Sequence, residues 1–299
     1  MSKGLNKEKF AKVIPPLISS FTENGEIYEK GQREIISFLM DKGIRGFYVC
    51  GTYGLGPAMT LKQRKRIAEI VVDEAGSKAT IIVHVGASNI DDVLELARHA
   101  EDIGADAVAS VPPFYYRYDD EAMLRFYKAL VSKVNIPVFV YNNPSTTHNP
   151  ISSELLVRLA NEGVAGIKDS SFSIVKFYED IIALSGREFI FIIGTEALAL
   201  PALMAGATGV ISGLANAIPE PNIELFNLIK EGRYNEAIKK QLEVIKLRKL
   251  VHEVPTYPAI YEILKMRGVD AGYPKPPFRR LTEKEISYLK NKLGEYGYL

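Results

Sequence analysis

Eight short runs rich in β-branched and aromatic residues, at 13–19, 46–50, 81–85, 107–111, 138–141, 166–168, 189–193 and 209–211, alternate with amphipathic stretches of helical period. Several runs are apolar throughout, such as Ile81-Ile82-Val83, Val138-Phe139-Val140 and Phe189-Ile190-Phe191-Ile192-Ile193. A strand without a polar side is one covered on both faces, which is the condition of a parallel sheet. The segments between the runs, 29–42, 61–74, 91–103, 120–133, 153–161, 173–184 and 197–205, read as helices, with Ser153 as a candidate cap. This alternation predicts an α/β chain folded as a (β/α)8 TIM barrel. An open, doubly wound parallel sheet is the rival on pattern alone.

After Asn216 no strand signal returns, and 219–230, 234–251, 257–266 and 283–293 read as helices. The expected organisation is a barrel over 1–216 and a C-terminal helical extension over 217–299, with Gly272-Tyr273-Pro274-Lys275-Pro276-Pro277 as a rigid loop inside it. A chain of 299 residues that is 47% hydrophobic can bury one large core. Its net charge of +1 creates no field for nucleic acid or an anionic membrane, so a small molecule is the expected partner. Cys50 is the only cysteine and lies in an apolar run, which excludes an internal disulfide and suits a buried thiol in a reducing compartment. Met1 to Lys12 mixes lysines with short apolar pieces instead of a leader's continuous apolar core, and no stretch reaches the ~18 apolar residues of a membrane helix. A cytoplasmic location is expected.

In a barrel, chemistry gathers where strands end and the following loops begin. The second run leads into Gly51-Thr52-Tyr53-Gly54-Leu55-Gly56-Pro57, the fourth into Pro112-Pro113-Phe114-Tyr115-Tyr116-Arg117, the fifth into Tyr141-Asn142-Asn143-Pro144-Ser145 and the sixth into Lys168-Asp169-Ser170. The period of a strand points Lys168 inward if Ile167 points out. An amine among apolar walls loses solvation, which moves it toward the range of a nucleophile. The plain alternative is a lysine that snorkels or pairs with Asp169. Tyr141, on the neighbouring strand, can present its hydroxyl to the same space for proton transfer, or can simply be core. The loop from Gly51 to Gly56 can offer backbone N–H groups and the Thr52 hydroxyl to a carboxylate; it is neither a Walker loop nor a GxGxxG, and by itself can be only a turn. The hydroxyls of Ser170, Ser171, Thr195 and Ser212 can meet a substrate or cap the next helix. His84, His99, His148 and His252 are scattered without metal-ligand spacing, and no GxSxG occurs.

Four of these segments in order, Gly51-Thr52-Tyr53-Gly54, Pro113-Phe114-Tyr115-Tyr116, Tyr141-Asn142-Asn143-Pro144 and Gly166-Ile167-Lys168-Asp169-Ser170, resemble the pyruvate-dependent Schiff-base aldolases and lyases. That family includes dihydrodipicolinate synthase, N-acetylneuraminate lyase and the archaeal 2-keto-3-deoxygluconate aldolases. The resemblance implies a barrel with helical extension, a homotetramer built as a dimer of dimers, and no metal or organic cofactor. It implies Lys168 as the Schiff-base lysine, Tyr141 as the proton-transfer tyrosine, Thr52 as relay and carboxylate ligand, and Tyr115 as a hydroxyl given to a neighbouring subunit's site. Gly51, Tyr53, Ser170, Thr195 and Ser212 are the expected substrate contacts.

The departures bear on substrate. Tyr53 stands where the family has a second small hydroxyl residue, so the carboxylate would rely on Thr52 and backbone N–H groups. Thr146 stands where dihydrodipicolinate synthases carry an arginine that clamps a carboxylate, a change that removes a bidentate partner. Gly54-Leu55-Gly56-Pro57 lacks a glutamate usual in the synthases and neuraminate lyases and is similar to the loop of the archaeal aldolases. The resemblance therefore implies cleavage of a 2-keto-3-deoxy sugar acid, such as 2-keto-3-deoxygluconate, to pyruvate and an aldehyde. N-acetylneuraminate lyase is the alternative, then dihydrodipicolinate synthase, then a barrel that binds a keto acid without catalysis.

Overall fold

The computed structural model describes residues 5–299; Met1–Gly4, part of the N-terminal segment read above for a leader, lies outside the described residues. The eight strands are β1 (Val13–Ile14), β2 (Gly46–Val49), β3 (Thr80–His84), β4 (Ala107–Ser110), β5 (Val138–Asn142), β6 (Gly166–Asp169), β7 (Ile190–Ile193) and β8 (Gly209–Ile211). All are parallel, each paired with the next in sequence from β2 to β8, and β8 pairs with β1. The circle closes where β1 meets β2, through Tyr48 N–H to the Pro15 carbonyl at 3.0 Å and Leu17 N–H to the Tyr48 carbonyl at 2.9 Å. This is the predicted TIM barrel, and the open sheet is excluded.

The first strand is much shorter than the predicted 13–19, because Pro15 and Pro16 have no N–H to give a ladder. Around the barrel run α1 (Glu29–Asp41), α2 (Leu61–Ala75), α3 (Ile90–Asp102), α4 (Asp120–Lys133), the single turn α5 (Pro144–Thr147), α6 (Ser153–Asn161), α7 (Ile174–Ala183) and α8 (Ala199–Met204). Ser152, rather than the expected Ser153, caps α6 by accepting from Leu155 N–H at 3.0 Å. Ser153 is already inside the helix, and its hydroxyl donates to Asp180 instead.

Strand alternation sorts the side chains into two cores. Phe47, Val49, Val83, Val108, Val140, Ile167 and Ile193 point outward and join the helices, while Tyr48, Ile82, Ala109, Phe139, Tyr141, Ile192 and Ile211 fill the barrel. Phe10 plugs the N-terminal end of that interior, edge-on to Phe139 at 5.0 Å. The extension consists of α9 (Glu220–Lys230), α10 (Tyr234–His252), α11 (Thr256–Met266) and α12 (Glu283–Glu295). It is tied back to the segment after β1: Tyr261 OH donates to the Ser19 carbonyl at 2.7 Å, Ser20 Oγ to the Ala271 carbonyl at 2.8 Å, and Tyr273 N–H to the Phe21 carbonyl at 2.9 Å. These ties bring the C-terminal end of α10 and the start of α11 over the end of the barrel where the strands finish.

Candidate active site

Lys168 lies at the end of β6, in register with Tyr141 on one side and Ile192 on the other. With Ile167 pointing out into the helical layer, the lysine points in, and only 2% of it is exposed. Its Nζ sits over two aromatic faces, 3.7 Å from the centre of the Tyr141 ring and 3.9 Å from that of Tyr48. Burial pushes the amine below the ordinary lysine range, with the neighbouring Tyr141 pulling the other way. The alternative of a lysine paired with Asp169 is not realised. The Asp169 carboxylate accepts from Asn142 Nδ2 at 2.7 Å and from Ser171 Oγ at 2.7 Å, and burial pushes its carboxyl up.

The Tyr141 hydroxyl joins Thr52 Oγ1 at 3.2 Å and accepts from Asn143 Nδ2 at 3.1 Å. Burial alone would raise this phenol; the positive charge of Lys168 and the Thr52 hydrogen bond outweigh it and lower the pKa. A phenol made more acidic beside an amine made less basic is the arrangement in which a proton moves between them at small cost. Thr52 is held by a tight loop in which Gly56 N–H reaches the Gly51 carbonyl at 3.0 Å and Leu55 N–H the Thr52 carbonyl at 3.1 Å. Gly56 is required there, since a Cβ would lie 1.9 Å from the Cys50 carbonyl oxygen. Cys50 itself is buried, as expected, and its thiol is pushed up to about 11, so it is inert.

Above Lys168 opens a cavity of about 260 Å³, lined by Thr52, Tyr53, Tyr141, Ser170 and Thr195 of the expected residues, as well as by Asn143, Ser145 and Thr146. Tyr53 meets the edge of Tyr257 from α11 at 5.3 Å. Ser170 Oγ donates to the Gly194 carbonyl at 3.2 Å, and Thr195 Oγ1 accepts from Ala197 N–H at 3.2 Å, so each hydroxyl is partly engaged by backbone. Gly51 and Ser212, expected at the substrate, do not line the cavity. Gly51 turns its backbone toward the Tyr48 ring, and Ser212 Oγ caps the turn at 214–216 by accepting from Ala215 N–H at 3.2 Å. Tyr115 and Arg117 are outside it too. Tyr115 stands on the surface, 83% exposed, with φ at +87°, edge-on to Tyr116.

Sequence reasoning missed the far wall. Glu196 follows Thr195 after β7 and is buried; its Oε1 pairs with Arg248 Nε at 3.2 Å, and its Oε2 accepts from Gly213 N–H at 3.2 Å. Arg248 and His252, one turn apart on α10, line the cavity with it, and Arg248 lies 5.6 Å over the Phe172 ring. Glu196 occupies a strand-end position and was within reach of the same rule that found Thr195. Among the described residues no group of three His, Cys, Asp or Glu side chains is placed to hold a metal ion.

The family model described as the Dihydrodipicolinate synthetase family matches residues 9–295. The chain belongs to this family. Its members are carbon–carbon lyases and synthases that work through a Schiff base, and this chain is a pyruvate-dependent enzyme of that kind. It is 31% identical over 290 residues to a 4-hydroxy-tetrahydrodipicolinate synthase of Methanopyrus kandleri, covering 96% of both chains. A catalytic-lysine mutant of the Ruminococcus gnavus sialic acid aldolase superposes with a TM-score of 0.93 at 28% identity, over 98% of this chain and 99% of that one. KD(P)GA from T. tenax superposes with a TM-score of 0.87 at 26% identity, over 96% and 99%. Three different substrates are thus represented at similar distance. Among the described residues no helix is long and apolar enough to cross a membrane.

Proposed function

We propose that Lys168 is the Schiff-base lysine and that the enzyme cleaves, or forms, a 2-keto-3-deoxy sugar acid such as 2-keto-3-deoxygluconate, giving pyruvate and an aldehyde. The observation that carries the reading is the buried Lys168 amine on the floor of a hydroxyl-lined cavity, next to a Tyr141 hydroxyl already engaged with Thr52. The neutral amine attacks the C2 carbonyl, and loss of water leaves an iminium. Thr52 and the N–H groups of its loop hold the C1 carboxylate. Tyr141 takes the proton from the C4 hydroxyl, the C3–C4 electron pair moves into the iminium, and the aldehyde departs. Protonation of the resulting enamine at C3 and hydrolysis of the iminium return pyruvate and Lys168. No metal or organic cofactor enters these steps.

Two features favour a short sugar acid over the other substrates represented among the relatives. The cavity of about 260 Å³ is just below the ~300–1,000 Å³ of common ligand pockets, which suits six carbons better than a nine-carbon N-acetylated acid. At the position of the synthases' arginine, Thr146 Oγ1 hydrogen-bonds to the Asn143 carbonyl at 3.2 Å and presents no cation.

Assembly as a homotetramer is part of the same proposal. In support, Val175 and Ile182 on α7 and Ile238 and Leu242 on α10 are exposed, and Tyr115 projects from the surface as a residue given to a neighbour's site would.

The test is to assay pyruvate release from 2-keto-3-deoxygluconate and from N-acetylneuraminate, and condensation of pyruvate with aspartate semialdehyde, at equal enzyme. The sugar acid should exceed the others by at least about tenfold in kcat/KM, a difference of ~1.4 kcal/mol in transition-state binding. A preference for either of the others would reassign the substrate, and no turnover with any of them would remove it.

A further inference from the structure

Tyr48 has no place in the mechanism above, yet its ring touches the reacting nitrogen. It is fully buried on β2, its face 3.9 Å from Lys168 Nζ, and it meets the Tyr141 ring edge to face at 5.8 Å. Its hydroxyl is buried with no hydrogen-bond partner among the described residues, an arrangement that makes sense for the ring but not for the phenol. The backbone is shaped around it as well, since a Cβ on Gly51 would come within 2.6 Å of Tyr48 Cε1.

We propose that the Tyr48 ring is a further catalytic element of this enzyme: with Tyr141 it forms an aromatic clamp that holds the Lys168 nitrogen in its positively charged forms, the ammonium and the iminium. The proposal rests on Lys168 being the nucleophile. The negative face of an aromatic ring attracts a cation and is indifferent to a neutral amine, and the attraction grows when water is absent. The nitrogen alternates between the two conditions during turnover. It is positive as ammonium, neutral when it attacks C2, positive as the iminium after water leaves, neutral in the enamine after the C3–C4 pair collapses onto it, and positive again once C3 is protonated.

Of the other groups facing this nitrogen, only Tyr141, the second half of the clamp, favours its charged form. Tyr141 on β5 and His84 on β3 are the nearby titratable groups, and His84 is held neutral by burial, Arg64 and Lys168. β4, β7 and β8 contribute Ala109, Ile192 and Ile211 to the interior, none of which can carry charge.

The clamp has a pH signature that a merely space-filling residue lacks. Below the amine pKa, ammonium becomes iminium and the charge on nitrogen is unchanged, so the ring gives the adduct no advantage. Above it, a neutral amine becomes an iminium, and the ring favours the adduct. The experiment places at position 48 phenylalanine and then phenylalanines carrying increasing ring fluorination, which preserve shape while draining the negative face. The pyruvate adduct is trapped with borohydride and counted by intact mass across pH and pyruvate concentration, with Lys168→Ala as control. Tyr48→Phe should stay within about twofold of wild type. Full fluorination should lower the pH of half-maximal adduct formation by about one unit and weaken the adduct about tenfold above that pH. A fluorinated series indistinguishable from Tyr48→Phe would overturn the clamp while leaving Lys168 as nucleophile. No adduct in wild type, or the same adduct in Lys168→Ala, would overturn the nucleophile itself and the clamp with it.

Discussion

A buried amine kept for chemistry should be a burden on the fold, and Lys168→Met measures that burden. The side chain is 2% exposed and, among the described residues, forms no salt bridge; its surroundings are two aromatic rings, the Tyr141 hydroxyl and the cavity above. Desolvating an amine without a full set of hydrogen bonds costs ~1–3 kcal/mol. The two ring faces return part of that, ~1–2 kcal/mol where water is excluded. Methionine has nearly the same length, carries no polar nitrogen and gains ~0.3–1.5 kcal/mol from sulfur against aromatic rings. The balance favours the variant by ~1–2 kcal/mol, a rise in Tm of ~1.5–3 °C for a chain of this size. Calorimetry supplies the Tm, and borohydride trapping with pyruvate supplies the adduct, which should vanish together with turnover. A variant destabilised by more than ~1 kcal/mol would show that the amine contributes to the fold. A pyruvate adduct on Lys168→Met would show that another residue is the nucleophile.

Tyr141→Phe keeps the ring over Lys168 and removes the hydroxyl shared with Thr52 and Asn143. Turnover should fall ~10²–10⁴-fold, while the pyruvate adduct still accumulates at long times; turnover within threefold of wild type would take proton transfer away from this residue. His84 supplies a test in pH. Val111 N–H points at its Nε2 at 3.4 Å and its Nδ1 contacts the Cys50 carbonyl at 3.2 Å, so the folded protein needs the neutral ring, and its pKa lies well below the ordinary value. The unfolded chain therefore takes up the proton first as pH falls below ~6.5, and stability drops by up to ~1.4 kcal/mol per pH unit until the folded pKa is reached. Burial raises Asp169 and Asp180, which acts in the opposite sense at lower pH, so the readout is the difference between urea unfolding of wild type and of His84→Gln from pH 7.5 to 5. Equal slopes for the two proteins would refute the assignment.

Lys168, Tyr141 and Thr52 were legible because a barrel turns sequence position into spatial position: each lies at or just past the end of a strand, and strand ends converge. Arg248 was not, because its place over the cavity depends on how α10 packs against the barrel, and no local pattern distinguishes it from the other basic residues of that helix. Tyr48 was hidden for another reason. An inward aromatic in the middle of a strand is what a core needs, and only its 3.9 Å approach to an amine separates it from core. The shortened first strand and the one-residue displacement of the α6 cap are local effects of Pro15, Pro16 and Ser152, and neither moves the site.

The distribution of backbone strain points to the same end of the barrel. Among the described residues, the non-glycine positions with positive φ are Cys50, Leu55, Tyr115, His148 and Phe172. Cys50 and Leu55 follow β2, Tyr115 follows β4, His148 follows β5 and Phe172 follows β6, so all five lie beyond the C-terminal ends of strands, on the side where Lys168 opens to the cavity. Such conformations cost of order 1–3 kcal/mol each and persist only where surrounding contacts impose them. A fold under no demand but stability would spread them over both ends or put glycine there, as it does at Gly104, Gly163 and Gly206 in the turns that follow α3, α6 and α8. One end of this barrel is built from relaxed turns. The other holds a buried amine, a phenol with no partner among the described residues and strained loops, an asymmetry that supports, without any resemblance, the proposal that places the chemistry there.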